Sequence, residues 1–166
     1  MGLTISNTLS LRQYYTNNRT LVTSSNRANA TTGQLSMADA TALRTAIKRL
    51  EDYDFEDSTD DDLQEKLNAF RDTYNYAIQS GTKYSNTDTA VKNAVKNMKN
   101  LSKKYADELE DYGITFDDSG YMKVSSSAAS NISHERFADI LGADSEYASK
   151  LYSYAKHITK HVNVQL

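Results

Sequence analysis

The stretch from Val91 to Tyr112 constrains this chain most. Val91, Val95, Met98, Leu101, Tyr105, Leu109 and Tyr112 follow one another at intervals of 4, 3, 3, 4, 4 and 3. Residues three and four apart share one side of an α-helix, so the spacing draws a single apolar stripe along about seven turns. Such a stripe needs other helices to lie against, because most helical stability comes from packing of the apolar face. The helix is predicted to start near Asn86 or Thr87 and to close at Gly113. The 166 residues contain no proline, the usual helix terminator, which favours long uninterrupted helices throughout.

Three further stretches carry the same period. From a Ser36 cap with Asp39 in the first turn, Ala40, Leu43, Ile47 and Leu50 recur at helical spacing until the acidic run Glu51 to Ser58. Thr59 then caps a helix whose first turn is Asp60, Asp61 and Asp62, three carboxylates at the positive end of the dipole. Its apolar side is Leu63, Leu67, Phe70, Tyr74 and Ile78, with Gly81 as a left-handed terminal residue. The last helix opens at Asp144 or Ser145 and aligns Tyr147, Leu151, Tyr154, Ile158 and Val162. Between them, Ile114-Thr115-Phe116 and Tyr121 to Val124 flank Asp117-Asp118-Ser119-Gly120, which reads as a β-hairpin near 114–124. Ser125 to Asn131 and Ser133 to Gly142 read as short helices. The expected fold is mainly α: an antiparallel helical bundle over 36–166 with one small hairpin, preceded by a polar, flexible segment over 1–35 that has no sustained period.

Charge is sorted into blocks. Residues 1–35 carry Arg12, Arg19 and Arg27 with no acid, residues 51–62 carry eight acids with no base, and after Glu146 only Lys150, Lys156 and Lys160 are charged. Such blocks are ordinarily solvated faces, and unlike blocks attract weakly through a screening solvent. A net charge of −3 and no basic stripe argue against a nucleic-acid partner. No apolar run approaches the roughly 18 residues of a membrane span, and no signal-peptide core is visible at the N-terminus. With no cysteine, disulfides, thiolate metal sites and Cys nucleophiles are excluded together.

The remaining chemical motifs are incomplete. His134-Glu135 begins like a zinc-protease helix, but Ala138 occupies the second histidine position. His157 and His161 share a helix face four residues apart, yet Lys156 and Lys160 flank them and no acid is near to complete a metal shell. An EF-hand loop started at Asp57 would put Asp62 where glycine is needed and Asn68 where a bidentate glutamate is needed. The glycines are isolated, so no phosphate-cradling loop exists. Linear spacing supports no Ser/His/Asp set. The expectation is a non-enzymatic chain with no catalytic, metal or cofactor residues and no cofactor.

Two passages resemble the C-terminal region of the flagellar hook-associated protein 2 family, the bacterial filament cap. Leu67-Asn68-Ala69-Phe70-Arg71-Asp72-Thr73-Tyr74-Asn75 is similar to that family's helix ending in Phe-x-x-x-Tyr-Asn. Leu109 to Val124 is similar to its sequence of Leu, Gly-Ile, short strand, Asp/Gly turn and returning strand. The resemblance covers about 60–160, and the family's N-terminal half and variable outer domains have no counterpart. It implies a helical structural protein that assembles with itself or with protein partners by helix packing, located in the extracellular flagellum or secreted by the flagellar route. The alternative reading is a cytoplasmic helical adaptor or chaperone-like binding module.

Overall fold

The computed structural model describes residues 25–163. The expectation of flexibility before position 25 lies outside those residues. The described chain begins with a 3-10 turn, Ser25–Asn29, and continues into α1 (Thr32–Glu51), α2 (Asp60–Tyr84), α3 (Thr89–Lys104) and α4 (Ala106–Asp111). Strands β1 (Ile114–Phe116) and β2 (Met122–Val124) follow, then α5 (Ala128–Asn131), a 3-10 turn (His134–Arg136), α6 (Phe137–Leu141) and α7 (Glu146–His161). The chain is mainly helical with one two-stranded antiparallel sheet, in agreement with the expected class.

Helix starts follow from side-chain caps. Thr59, Asp88 and Ser145 each accept a hydrogen bond from the backbone N–H three residues on, at 3.2, 2.9 and 3.0 Å. α1 starts four residues before the expected Ser36, at a capping box in which Thr31 and Gln34 each satisfy the other's backbone N–H. Ser36 and Asp39 consequently lie inside the helix, and both are buried. Asp39 is not a first-turn acid: Arg27 grips it through two nitrogens at 2.7 and 2.8 Å and also covers the Tyr76 ring at 4.2 Å. Ser133 provides no side-chain cap; a 3-10 turn intervenes before α6.

The four long helices form a closed ring in which α1 packs on α2, α2 on α3, α3 on α7 and α7 on α1. Contacts fix the level of each residue along the axis. Gly33 lies against Tyr84, Val162 and Asn163 at one end, Gly81 lies against Val95 and Ile158 one level in, and Tyr74, Ser102 and Tyr147 meet further along. Neighbouring helices therefore run antiparallel. The α3 part of the stripe, Val91, Val95, Met98 and Leu101, is buried inside this ring, and Leu109 and Tyr112 are buried beyond α3, where α4 packs on β1 and the Tyr112 ring meets Phe137. Each such side chain contributes roughly 1.5–3 kcal/mol of burial free energy.

Three details differ from the sequence expectation. The stripe is not one helix, since the backbone leaves helical geometry at Tyr105 (φ −98°, ψ 9°), which joins α3 to α4. Tyr105 is half-exposed, sets its ring 5.5 Å from that of Tyr147 and donates its hydroxyl to Glu146 at 2.9 Å. Gly81 is not a terminal residue: α2 runs on to Tyr84, and a Cβ at Gly81 would stand 2.7 Å from Val95 Cγ2. Its missing side chain permits close approach of α3. On α7, Tyr154 is half-exposed, while Ala148 and Ala155 fill the core beside Tyr147, Leu151 and Ile158.

The hairpin pairs Ile114 with Val124, Thr115 with Lys123 and Phe116 with Met122. Gly113 and Gly120 adopt φ of +73° and +84°, a region open chiefly to glycine. Asp117 Oδ1 accepts from Ser119 N at 2.9 Å and Tyr121 N at 3.0 Å, which sets the turn.

Candidate functional site

Chemistry-bearing side chains meet at four places. The first is a Ser58–His134–Asp60 constellation that no linear motif announces, because 76 residues separate Ser58 from His134. The α1–α2 loop supplies Ser58, the start of α2 supplies Asp60, and the 3-10 turn supplies the half-buried ring. His134 Nε2 stands 2.8 Å from Asp60 Oδ1 and 2.9 Å from the Ala129 carbonyl, two acceptors, so this nitrogen carries a proton. Nδ1 lies 2.9 Å from Ser58 Oγ, and that oxygen donates to the Phe55 carbonyl at 2.7 Å.

A serine nucleophile needs its proton directed at a free imidazole lone pair. With the proton on Nε2, Nδ1 of the neutral ring is an acceptor, so the single Ser58 proton has two acceptors within reach, this nitrogen and the Phe55 carbonyl. The ring thus ties the loop, the start of α2 and the first turn of α5 together as a cross-link. Among the described residues, His134 joins no group of histidines and carboxylates able to hold a metal ion.

The second place is a groove of about 400 Å³ between α3 and α7, lined by Asn93, Asn97, Tyr154, Lys156, His157 and Lys160 among others. His157 and His161 are exposed, with ring centroids 4.4 Å apart and planes tilted by 43°. Among the described residues no third histidine or carboxylate joins them in a group able to hold a metal ion. The carboxylates of the 51–62 run likewise form no such group with their neighbours.

The third is a groove of about 410 Å³ at the opposite end, lined by Glu51, Tyr53, Phe55, Asp139, Gly142 and Asp144 among others. The Tyr53 and Phe55 rings meet edge to face at 5.0 Å, and the buried Tyr53 hydroxyl has no hydrogen-bond partner. Lys66, on α2, sets its Nζ 4.8 Å from the Tyr53 ring centroid.

The fourth is internal. Tyr74 OH lies 3.0 Å from Ser102 Oγ, which lies 3.1 Å from Tyr147 OH, so one serine serves two buried phenols. Burial pushes Tyr74 up to about 12, the bond to Ser102 acting in the opposite direction. Burial also raises Tyr147, and the neighbouring Tyr74 adds to that. Groups this reluctant to ionise at neutral pH are structural hydroxyls rather than acids or bases. Near the surface, Tyr105 is raised by its bond to Glu146, and Glu146 is held below its ordinary value by Lys150 and then Tyr105.

The two resembling passages touch one another. Asn75, on α2, donates through Nδ2 to Met122 O at 2.9 Å and accepts through Oδ1 from Met122 N at 2.7 Å. This pair of bonds fixes β2 against α2 and gives the sequence Tyr74-Asn75 a mechanical reason: one residue faces the core and the next holds the hairpin.

No protein-family model, no curated protein and no solved structure matches the chain. Among the described residues, no helix is long and apolar enough to cross a membrane.

Proposed function

We propose that the chain is a non-enzymatic structural or interaction protein that works by docking, akin to part of the bacterial flagellar filament cap, and that it leaves the cell by the flagellar export route. The observation that carries this reading is the Asn75–Met122 clamp, which unites the helix and the hairpin of the two resembling passages in one rigid unit. The core supports it: the phenols of Tyr74 and Tyr147 are committed to Ser102, so polar groups at this place hold structure. Docking then falls to the outside of the bundle, because the longest apolar stripe is covered by the chain's own helices.

Export is tested by deleting the flagellar exporter and assaying the culture supernatant for the full chain. The reading expects the protein in the supernatant of the parent strain and its loss in the deletion strain. Equal amounts in both supernatants, or retention in the cells of both strains, would overturn it, and retention together with a co-purifying soluble client would favour the adaptor reading.

A further inference from the structure

The balance of charge shifts along the axis of the bundle: acids outnumber the exposed Lys48, Arg49, Lys103, Lys104 and Arg136 at one end, and lysines prevail at the other. The end that holds the C-termini of α2 and α7 and the start of α3 exposes Lys83, Lys92, Lys96, Lys156 and Lys160. Asp88, half-buried, uses its carboxylate to cap α3 at 2.9 Å. Among the described residues, none of these five lysines is in an ion pair. The α3–α7 groove opens at the same end, and no acid lines it.

The opposite end holds the α1–α2 loop and the link from α6 to α7. Asp52, Asp54, Glu56, Asp57, Asp139 and Asp144 are exposed there. Asp139 and Asp144 line the groove together with Glu51, Tyr53 and Phe55, and the other four belong to the stretch between α1 and α2 that supplies Tyr53 and Phe55. Carboxylates beside two aromatic rings attract ammonium groups by charge and by cation–π contact, and the Tyr53 ring already holds one, Lys66 Nζ at 4.8 Å.

The two ends cannot neutralise each other within one molecule. α2 has 25 residues and spans roughly 37 Å at 1.5 Å per residue, several times the ~10 Å screening length of 0.1 M salt. A second copy can bring them into contact. We infer that the lysine-bearing end of one molecule docks on the acidic, Tyr53-lined groove of the next, a head-to-tail contact between copies of this chain. Such a contact is heterologous, so it leaves an unused end on each side and generates chains of molecules or closed rings. This rests on the proposed docking function and names the partner as a further copy.

The test is the mass of the full chain in solution by sedimentation at about 0.2 mM protein, in about 20 mM and about 500 mM salt, conditions chosen to expose and then screen surface charge. Species of at least twice 18.6 kDa are expected at low salt, returning to 18.6 kDa at high salt. Reversing one end (Lys92→Glu, Lys96→Glu, Lys156→Glu, Lys160→Glu) and, separately, the other (Asp52→Lys, Glu56→Lys, Asp139→Lys, Asp144→Lys) should make each variant monomeric. Mixing the two should restore large species, since each then offers the end that the other lacks.

A wild-type chain that is monomeric at low salt overturns the inference without any variant, and so does a monomer retained on a polyanion column. Large species that persist at high salt, or in both reversed variants, also overturn it. Export assayed as above is untouched by these results, so failure here is distinguishable from failure of the docking reading.

Discussion

Replacing Ser102 with Ala removes the shared partner of two buried phenols. Tyr74 and Tyr147 are 0% and 1% exposed, so neither hydroxyl can turn to water in the folded state. A buried polar group left without a partner costs about 1–3 kcal/mol, so Ser102→Ala, which orphans two, should cost about 2–6 kcal/mol in all. The triple change Tyr74→Phe, Ser102→Ala, Tyr147→Phe removes every orphan and should be less damaging than Ser102→Ala alone. Urea denaturation of the wild type and the two variants reads these differences at constant m-value. A Ser102→Ala loss below about 0.5 kcal/mol, or a triple variant worse than the single, would refute the assignment of the three oxygens as one mutually satisfied set.

The same phenols make the fold sensitive to alkali. In the unfolded chain both titrate near 10.0, whereas in the folded protein Tyr74 titrates at about 12 and Tyr147 is also raised. A group raised by folding contributes its stability fully below the unfolded value and loses it as pH rises through the folded value. Stability should therefore hold up to about pH 10 and fall between about 10 and 12, by roughly 3 kcal/mol for Tyr74 alone. Phenolate absorbance followed with circular dichroism checks this, and the Tyr74→Phe, Tyr147→Phe double variant should flatten the decline.

Three other perturbations have defined outcomes. Arg27→Ala strands the fully buried Asp39 carboxylate and should cost about 3–5 kcal/mol in chemical denaturation, and Arg27→Lys should recover little because it cannot grip both oxygens. Asn75→Asp loses the donor to Met122 O and sets a carboxylate against that carbonyl; hydrogen exchange at β2 should accelerate more than at α3. Gly142→Ala places a Cβ 2.5 Å from the Ala138 carbonyl oxygen, a backbone atom that cannot step aside, and should lower the midpoint of thermal unfolding by several degrees.

Local features were legible in the amino-acid order, and features that join distant segments were not. The stripes identified Leu43, Ile47, Leu63, Phe70, Met98 and Leu151 as core because a 3–4 spacing has one physical meaning in a helix. Thr59 and Ser145 were legible as caps for the same local reason. The break at Tyr105 was hidden because Leu109 and Tyr112 keep the spacing of the stripe across it. Gly81 looked like a helix end because the approach of Val95 from another helix leaves no trace in the order of residues. The start of α1 did have a signal, Thr31-Thr32-Gly33-Gln34, which matches a capping box but lies within a Ser-, Thr- and Asn-rich stretch.

The Ser58–His134–Asp60 cross-link and the Asn75 clamp depend on contacts 76 and 47 residues apart in the chain. Tertiary structure alone brings those groups together. Likewise, the charge blocks of the sequence gained meaning only when the bundle set 51–62 at one end and the α3–α7 lysines at the other.

The α3 part of the stripe, Val91 to Leu101, is covered by the molecule's own α2 and α7, and the proposed docking on the outside of the bundle depends on this. Native-state hydrogen exchange of Val95, Met98 and Leu101 in the full chain, at a salt concentration where it is monomeric, tests this most directly. Protection equal to the global unfolding free energy is predicted. Fast exchange in the monomer, with protection gained only on association, would mean that the stripe belongs to an interface and would contradict the claim.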